Sequence, residues 1–189
     1  MKMIKRIFLT ILIITTVGLC FRGCFYRHLI RYESLGIRRD YSATEADLTN
    51  YYDVRINKKT NLDIGQIVKL SLSITSDKLT FTADHNDNDP NKLINTKTAH
   101  CVGYASFFST TCNYLLKKYN LDDTWTAKPQ IGQLYLLGTN IHQYFNSPFL
   151  KDHDFVAIEN KQTGQILAVD PTVNDYFYID FITYRSNKK

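Results

Sequence analysis

The chain is poor in cysteine, with four in 189 residues, and two of these, Cys20 and Cys24, fall within or beside an apolar N-terminal run. The other two, Cys101 and Cys112, lie in one stretch of helical spacing. Helical rise would put them ~16 Å apart, beyond the reach of a disulfide. A disulfide-held scaffold is therefore excluded. Histidine is also scarce, with five residues, and His28, His85 and His142 have no cysteine or carboxylate at metal-ligand spacing. Neither a structural nor a catalytic zinc site is expected, and no cofactor is expected. Asp84, Asn86 and Asn88 superficially resemble the start of a calcium loop. However, Asp89 stands where such a loop needs glycine and Asn95 where it needs a bidentate glutamate, so a solvated loop is expected. Internal repeats and low-complexity runs are missing as well.

An excess of one charge is missing once the total is divided along the chain. The net charge is +5, but residues 1–40 carry eight basic and two acidic side chains, and residues 41–189 carry fifteen and sixteen. The positive balance belongs to the N-terminal segment. The remainder, at −1, offers no electrostatic footprint for nucleic acid. A content of 44% hydrophobic and 22% charged residues is ordinary for a globular protein, and the length suits a single domain.

The N-terminal segment, MKMIKRIFLTILIITTVGLCFRGCFYRHLIRYE, has a basic start and then fifteen largely apolar residues, Ile7 to Phe21. This pattern addresses the chain to a membrane. Fifteen residues fall short of a ~30 Å hydrocarbon core, although Arg22 could snorkel and let Cys24, Phe25 and Tyr26 enter the interface. No convincing small-x-small cleavage site follows. Residues 1–24 are read as an uncleaved signal anchor, with a cleaved signal peptide as the alternative. Basic residues lie on both sides of the run, so the positive-inside count is contradictory. The short basic N-terminus places the following domain on the extracytoplasmic side.

Residues 25–60 are polar and charged with isolated aromatics and are expected to form a juxtamembrane stalk. Residues 61–189 are expected to form the domain. Within it, Asp63 to Thr75 suggests a short helix, with a strand as the alternative. ADHNDNDPNKLINTKT, residues 83–98, reads as loop. Cys101 to Tyr119 has no glycine after Gly103, no proline, and two lysines at its end. Its Cys101, Ala105, Phe108, Cys112, Leu115 and Tyr119 fall on one helical face. Beyond Trp125 the pattern turns to strands: IGQLYLLGTNI, HDFVAIEN, QILAVD and YFYIDFITY. Helices first and strands afterwards predict an α+β fold with an antiparallel sheet packed on the Cys101 helix.

The segment HDFVAIENKQTGQILAVD permits a geometric expectation. If residues 160–163 form the loop, Glu159 faces Gly164 and the ladder sets His153 directly opposite Asp170. The two side chains would then share a face with Cβ atoms about 5 Å apart. Asp154 would point to the other face. Cys101 at a helix N-terminus, His153 and Asp170 together make a Cys-His-Asp triad. The helix end favours the thiolate, the imidazole takes the thiol proton, and the carboxylate fixes the ring. Attack on an amide or ester carbonyl would give a thioester, with the Cys101 backbone N–H as an oxyanion donor. Cys112, three turns along the helix, is read as core, and His100 as a capping or surface residue.

These residues resemble the transglutaminase-like superfamily, a branch of the papain-like cysteine enzymes. Cys101-Val102-Gly103-Tyr104-Ala105 is similar to its C-x-G-Y-A, His153-Asp154-Phe155-Val156 to its H-x-aromatic-V, and Val169-Asp170-Pro171-Thr172 to its V-D-P-T. The resemblance spans Ile64 to Thr172. It implies Cys101 as nucleophile, His153 as base and Asp170 as orienting carboxylate, acting on a peptide or protein substrate, with hydrolysis expected over crosslinking. Ala99 stands where many members have glycine, and Phe155 replaces the usual tryptophan. The alternative is a catalytically silent domain of the same fold that serves as a membrane-tethered binding module. The sequence leaves the oligomeric state open.

Overall fold

The computed structural model describes residues 2–56, 61–84 and 86–185, so His85 and the end of the expected stalk lie outside the described residues. The fold is α+β. Helix α1, Lys2–Cys20, buries none of the residues from Met3 onward, and its Met3–Cys20 portion is long and apolar enough to cross a membrane. At about 1.5 Å per residue this portion spans ~27 Å. The helix is interrupted at Phe21 and resumes as α2, Arg22–Leu29, which passes directly into strand β1, Ile30–Ile37.

Here the expectation of a stalk over residues 25–60 fails. Strand β1 lies inside the sheet, and α3, Ala46–Arg55, sends Leu48 and Tyr52 fully into the core. These elements were hard to read because each buries few side chains. Tyr32 is the one fully buried residue of β1, and the rest of that strand is half-covered or exposed.

Helix α4, Ile64–Lys78, is the helix expected for its segment, and the strand alternative falls away. Asp63 caps it, with its carboxylate accepting the Gln66 N–H while the Gln66 side chain accepts the Asp63 N–H. Strand β2, Thr80–Phe81, precedes the segment expected to be loop. That segment in fact contains helix α5, Pro90–Thr96, and strand β3, Thr98–Ala99. Asp89 caps α5 through the Asn91 N–H, and Pro90 occupies its first turn, where a missing N–H costs nothing. Helix α6, Cys101–Lys118, follows and is buried on nearly every side. The expected single apolar face is thus too narrow, because α4, α5, α7 and the sheet all pack on this helix.

The remaining elements are β4, Trp125–Leu136; β5, Thr139–Asn140; β6, Phe155–Asn160; β7, Ile166–Val169; α7, Pro171–Phe177; and β8, Thr183–Arg185. The expected strand YFYIDFITY is thereby corrected. Its first two residues belong to α7, which Asp170 caps, and only its end joins the sheet. The sheet order is β7-β6-β4-β1-β8, with β5 pairing β4. It is mixed rather than wholly antiparallel, since β8 runs parallel to β1. The main core lies between the helices and Ala127, Val156, Ile158 and Val169 of the sheet. A second cluster gathers Tyr32, Phe155, Ala168 and Ile182.

Candidate active site

Cys101 opens α6. The preceding residue, His100, is extended (φ −95°, ψ −175°), and its Nδ1 accepts the Val102 N–H at 3.3 Å, so it is the N-cap. The sequence around the thiol has mechanical reasons. A Cβ on Gly103 would meet the Ala99 Cβ at 2.7 Å and the Leu93 Cδ1 at 3.3 Å, so only glycine lets the first turn of α6 lie this close to β3 and α5. The Tyr104 hydroxyl lies 2.7 Å from the Asp175 carboxylate and 3.0 Å from the Leu79 carbonyl, joining α6 to α7 and to the end of α4.

His153 and Asp170 come together, but by a different register from the expected one. Glu159 pairs with Ile166 rather than Gly164, and Val156 with Val169. The loop is residues 161–164 because Asn160 stays in the ladder. It pairs with Trp125, its N–H donates to the Gln165 carbonyl at 2.8 Å, and its side-chain oxygen accepts the Gln162 and Thr163 N–H groups at 2.9 Å each. Gly164 closes the turn at φ +71°, a conformation glycine adopts without strain. The shift is two residues, and an even shift keeps every side chain on its face. His153 and Asp170 therefore meet diagonally beyond the ladder's ends, with His153 Nε2 2.6 Å from Asp170 Oδ2.

The position of His153 is fixed from behind. Its N–H donates to the Gly132 carbonyl at 2.9 Å, and a Cβ on Gly132 would approach the His153 carbonyl oxygen at 2.5 Å and the Phe155 ring at 2.6 Å. The Asp154 side chain is held by the Arg38 guanidinium and not by His153, and the Cys101 charge also acts on that guanidinium. Fully buried, Asp154 receives Arg38 Nε at 2.8 Å and Nη2 at 3.1 Å, and Asp152 shares the same guanidinium.

Asp170 uses both carboxylate oxygens. Its Oδ1 accepts the Thr172 and Val173 N–H groups at 3.0 and 3.1 Å, capping α7, while Oδ2 receives His153 and the Tyr32 hydroxyl, the latter at 2.7 Å. Pro171 supplies the fixed φ that suits the first helical position. Tyr32 in turn shares a 2.5 Å hydrogen bond with the Tyr26 hydroxyl on α2. Tyr32 carries no expectation from the sequence because it falls in the expected stalk, and Tyr26 is read there only as a residue of the membrane interface.

The electrostatics follow from these contacts. Burial opposes ionisation of the Cys101 thiol. Hydrogen bonds from the His100 and His153 rings, the His153 charge and the Asp154 N–H outweigh it and bring the thiol down to about 7. Burial likewise opposes the charge on His153, but Asp170 and the Cys101 thiol raise it well above its ordinary value. Burial would raise Asp170, yet the His153 charge and the bonds from His153, Tyr32 and Val173 hold it below the usual carboxylate range. Because His153 Nε2 is taken by Asp170, Nδ1 is the nitrogen left for the thiol. Cys112 provides the contrast: fully enclosed, its thiol is pushed up to about 12 by burial. Such a site can hold a thiolate–imidazolium pair at neutral pH, with a carboxylate fixing the ring.

Other candidates do not join this cluster. His142 is buried, and its Nδ1 donates to the Leu150 carbonyl at 2.7 Å; His28 is exposed. Among the described residues, no group of three metal-ligating side chains converges. The chain matches no known protein family, and no curated protein or solved structure is detectably similar to it.

Proposed function

We propose that the protein is a membrane-anchored cysteine enzyme of transglutaminase-like type, with its domain on the extracytoplasmic side, that attacks peptide or amide carbonyls through a thioester. The observation that carries this reading is the His153–Asp170 hydrogen bond at 2.6 Å beside Cys101, with the thiol lowered and the ring charge supported. The Cys101 thiolate attacks the carbonyl carbon, and the oxyanion is met by the backbone N–H at the start of α6. The His153 imidazolium gives its proton to the departing amine as the C–N bond breaks, leaving a thioester and a neutral imidazole. Water then attacks the thioester, His153 takes the water's proton, and the C–S bond breaks to release a carboxylic acid and regenerate the pair.

Alkylation by iodoacetamide near pH 7 tests the reading. Cys101 should react faster than a free cysteine, and His153→Ala should abolish the advantage. Equal rates for Cys101 and a free thiol, unchanged by His153→Ala, would sink the enzyme proposal. One observation favours the second reading, a silent binding module: Cys101 retains only 7% exposure. In that case iodoacetamide would label Cys101 slowly in the native chain and at the rate of free cysteine once the fold is loosened by denaturant.

A further inference from the structure

The junction between α1 and the domain carries a feature that a simple tether does not need. Arg22 is the second residue beyond the apolar helix. Its Nη1 bonds the Leu19 carbonyl at 2.9 Å, its Nε the Phe177 carbonyl at 2.8 Å, and its Nη2 the Tyr178 carbonyl at 3.4 Å. One guanidinium therefore ties the end of α1 to the end of α7 and also lies over the Tyr178 ring, 5.8 Å from its centroid. Phe177 and Tyr178 nevertheless remain 61% and 73% exposed, and Phe21 and Phe25 beside Arg22 are more than half exposed.

We propose that Phe177 and Tyr178, with Phe21 and Phe25, form a lipid-contact surface that seats the domain in the headgroup layer of the bilayer crossed by α1. The inference rests on the membrane-anchor reading of α1. The depth is set by geometry: if Met3–Cys20 fills the hydrocarbon, Arg22 lies at its boundary, and the two residues whose carbonyls it holds lie at the same level. The residue types match that level, where aromatic rings and snorkelling arginine are favoured together. A protein-facing role does not account for Tyr178, which takes a left-handed conformation (φ 54°, ψ 45°) unfavourable for its side chain yet leaves its ring in the open. The surface also bears on the site. Helix α7 begins at the Asp170 cap and ends at this tip, and its seven residues measure about 10 Å, so lipid contact would hold the triad carboxylate one short helix above the membrane.

The test uses the full chain, one copy per lipid nanodisc, with acyl chains either plain or brominated near their carbonyl ends. Phe177→Trp adds one indole to the native Trp125, whose signal in the parent chain is subtracted, and Phe8→Trp in the N-terminal half of α1 reports on the anchor. The added Phe177→Trp emission should fall to roughly half in brominated discs, as expected for a ring at headgroup depth. If Phe8→Trp is quenched and Phe177→Trp is not, the seating proposal is overturned while the anchor stands. A blue-shifted but unquenched Phe177→Trp signal also overturns it, because protein rather than lipid then covers the tip. If neither position is quenched, the anchor reading fails and the seating proposal with it. The alkylation rate of Cys101 is a separate readout, so none of these outcomes decides the catalytic proposal.

Discussion

The Tyr32 hydroxyl donates to Asp170 Oδ2 at 2.7 Å, and the same oxygen lies 2.6 Å from His153 Nε2, so a residue 138 positions upstream in the chain supports the carboxylate that holds His153. Tyr32 is the third residue of β1, between β4 and β8, and its ring packs edge-on against Phe155 at 5.3 Å. The bond holds Asp170 ionised, and burial together with the Asp170 charge raises the tyrosine well above its ordinary value, so it remains a donor at neutral pH.

Tyr32→Phe should therefore keep the ring packing and remove only the donor. A buried hydrogen bond to a charged group contributes about 1.5–3 kcal/mol, and urea denaturation should show a loss of that order. With less support for its charge, Asp170 would hold the His153 imidazolium less well, and the pH profile of Cys101 alkylation should move upward. A loss of stability with an unmoved profile would restrict Tyr32 to a packing role.

The thiol itself makes the second prediction. Iodoacetamide alkylation of Cys101 should inflect near pH 7, where its thiol is held, and not near the ordinary thiol value of about 8.5. The signs for stability are opposed within the pair. Cys101 and Asp170 are lowered by folding, so their contributions are present above their unfolded values and fade as pH falls through the folded ones. His153 is raised, so its contribution is complete below about 6.5, its unfolded value, and is lost as pH climbs through the folded one. Stability measured between pH 5 and 9 should therefore fall on the alkaline side less steeply in His153→Ala than in the native chain. An alkylation midpoint near 8.5 in the native chain would contradict the thiolate–imidazolium pair.

The parts legible in the sequence were those with strong local signals. Helix α6 was readable from its spacing, and His153 and Asp170 survived a misplaced turn because the error was two residues, which preserves the face. An error of one would have set them on opposite sides. What stayed hidden has a physical explanation. The same dipeptide, Asp-Pro, opens α5 at 89–90 and α7 at 170–171, with the carboxylate capping and the proline in the first turn. In the first case it was submerged in a polar run, and in the second it was overshadowed by the aromatic stretch that follows. Strand β1 has little alternation to detect, since its neighbours on both sides supply most of its order through backbone bonds. Tyr32 was invisible for that reason.

Arg38 and Asp154 give a prediction about the scaffold next to the site. Asp154 is fully buried and receives two bonds from a guanidinium that is itself 31% exposed. Arg38→Ala strands a buried carboxylate and should cost about 3 kcal/mol, at the low end for a broken buried pair because water reaches the arginine side. Asp154 would respond by taking up a proton, so the loss should shrink as pH is lowered. Arg38→Lys should recover part of it, short of the two-pronged geometry. A urea midpoint insensitive to Arg38→Ala would show that the pair is not needed to place the strand that follows His153.

Gly132 tests whether the backbone beneath His153 sets the site. A methyl group there would meet the His153 carbonyl oxygen at 2.5 Å and the Phe155 ring at 2.6 Å, and neither can turn away, since one is backbone and the other is enclosed in the second core cluster. Gly132→Ala should cost about 1–3 kcal/mol as an overpacked site. The strain falls on the segment carrying His153, whose own N–H is bonded to the Gly132 carbonyl, so the imidazole should move relative to both Cys101 and Asp170. Alkylation should slow and its midpoint rise toward that of a free thiol, even at temperatures where far-UV circular dichroism reports a folded chain. Gly164→Ala offers the comparison: it lies at φ +71° in the hairpin turn with open space around it, so it should lower stability by about 1 kcal/mol through backbone strain alone. If both variants alter alkylation equally, the effect arises from general loosening of the hairpin, and the close approach at Gly132 is not what positions the histidine.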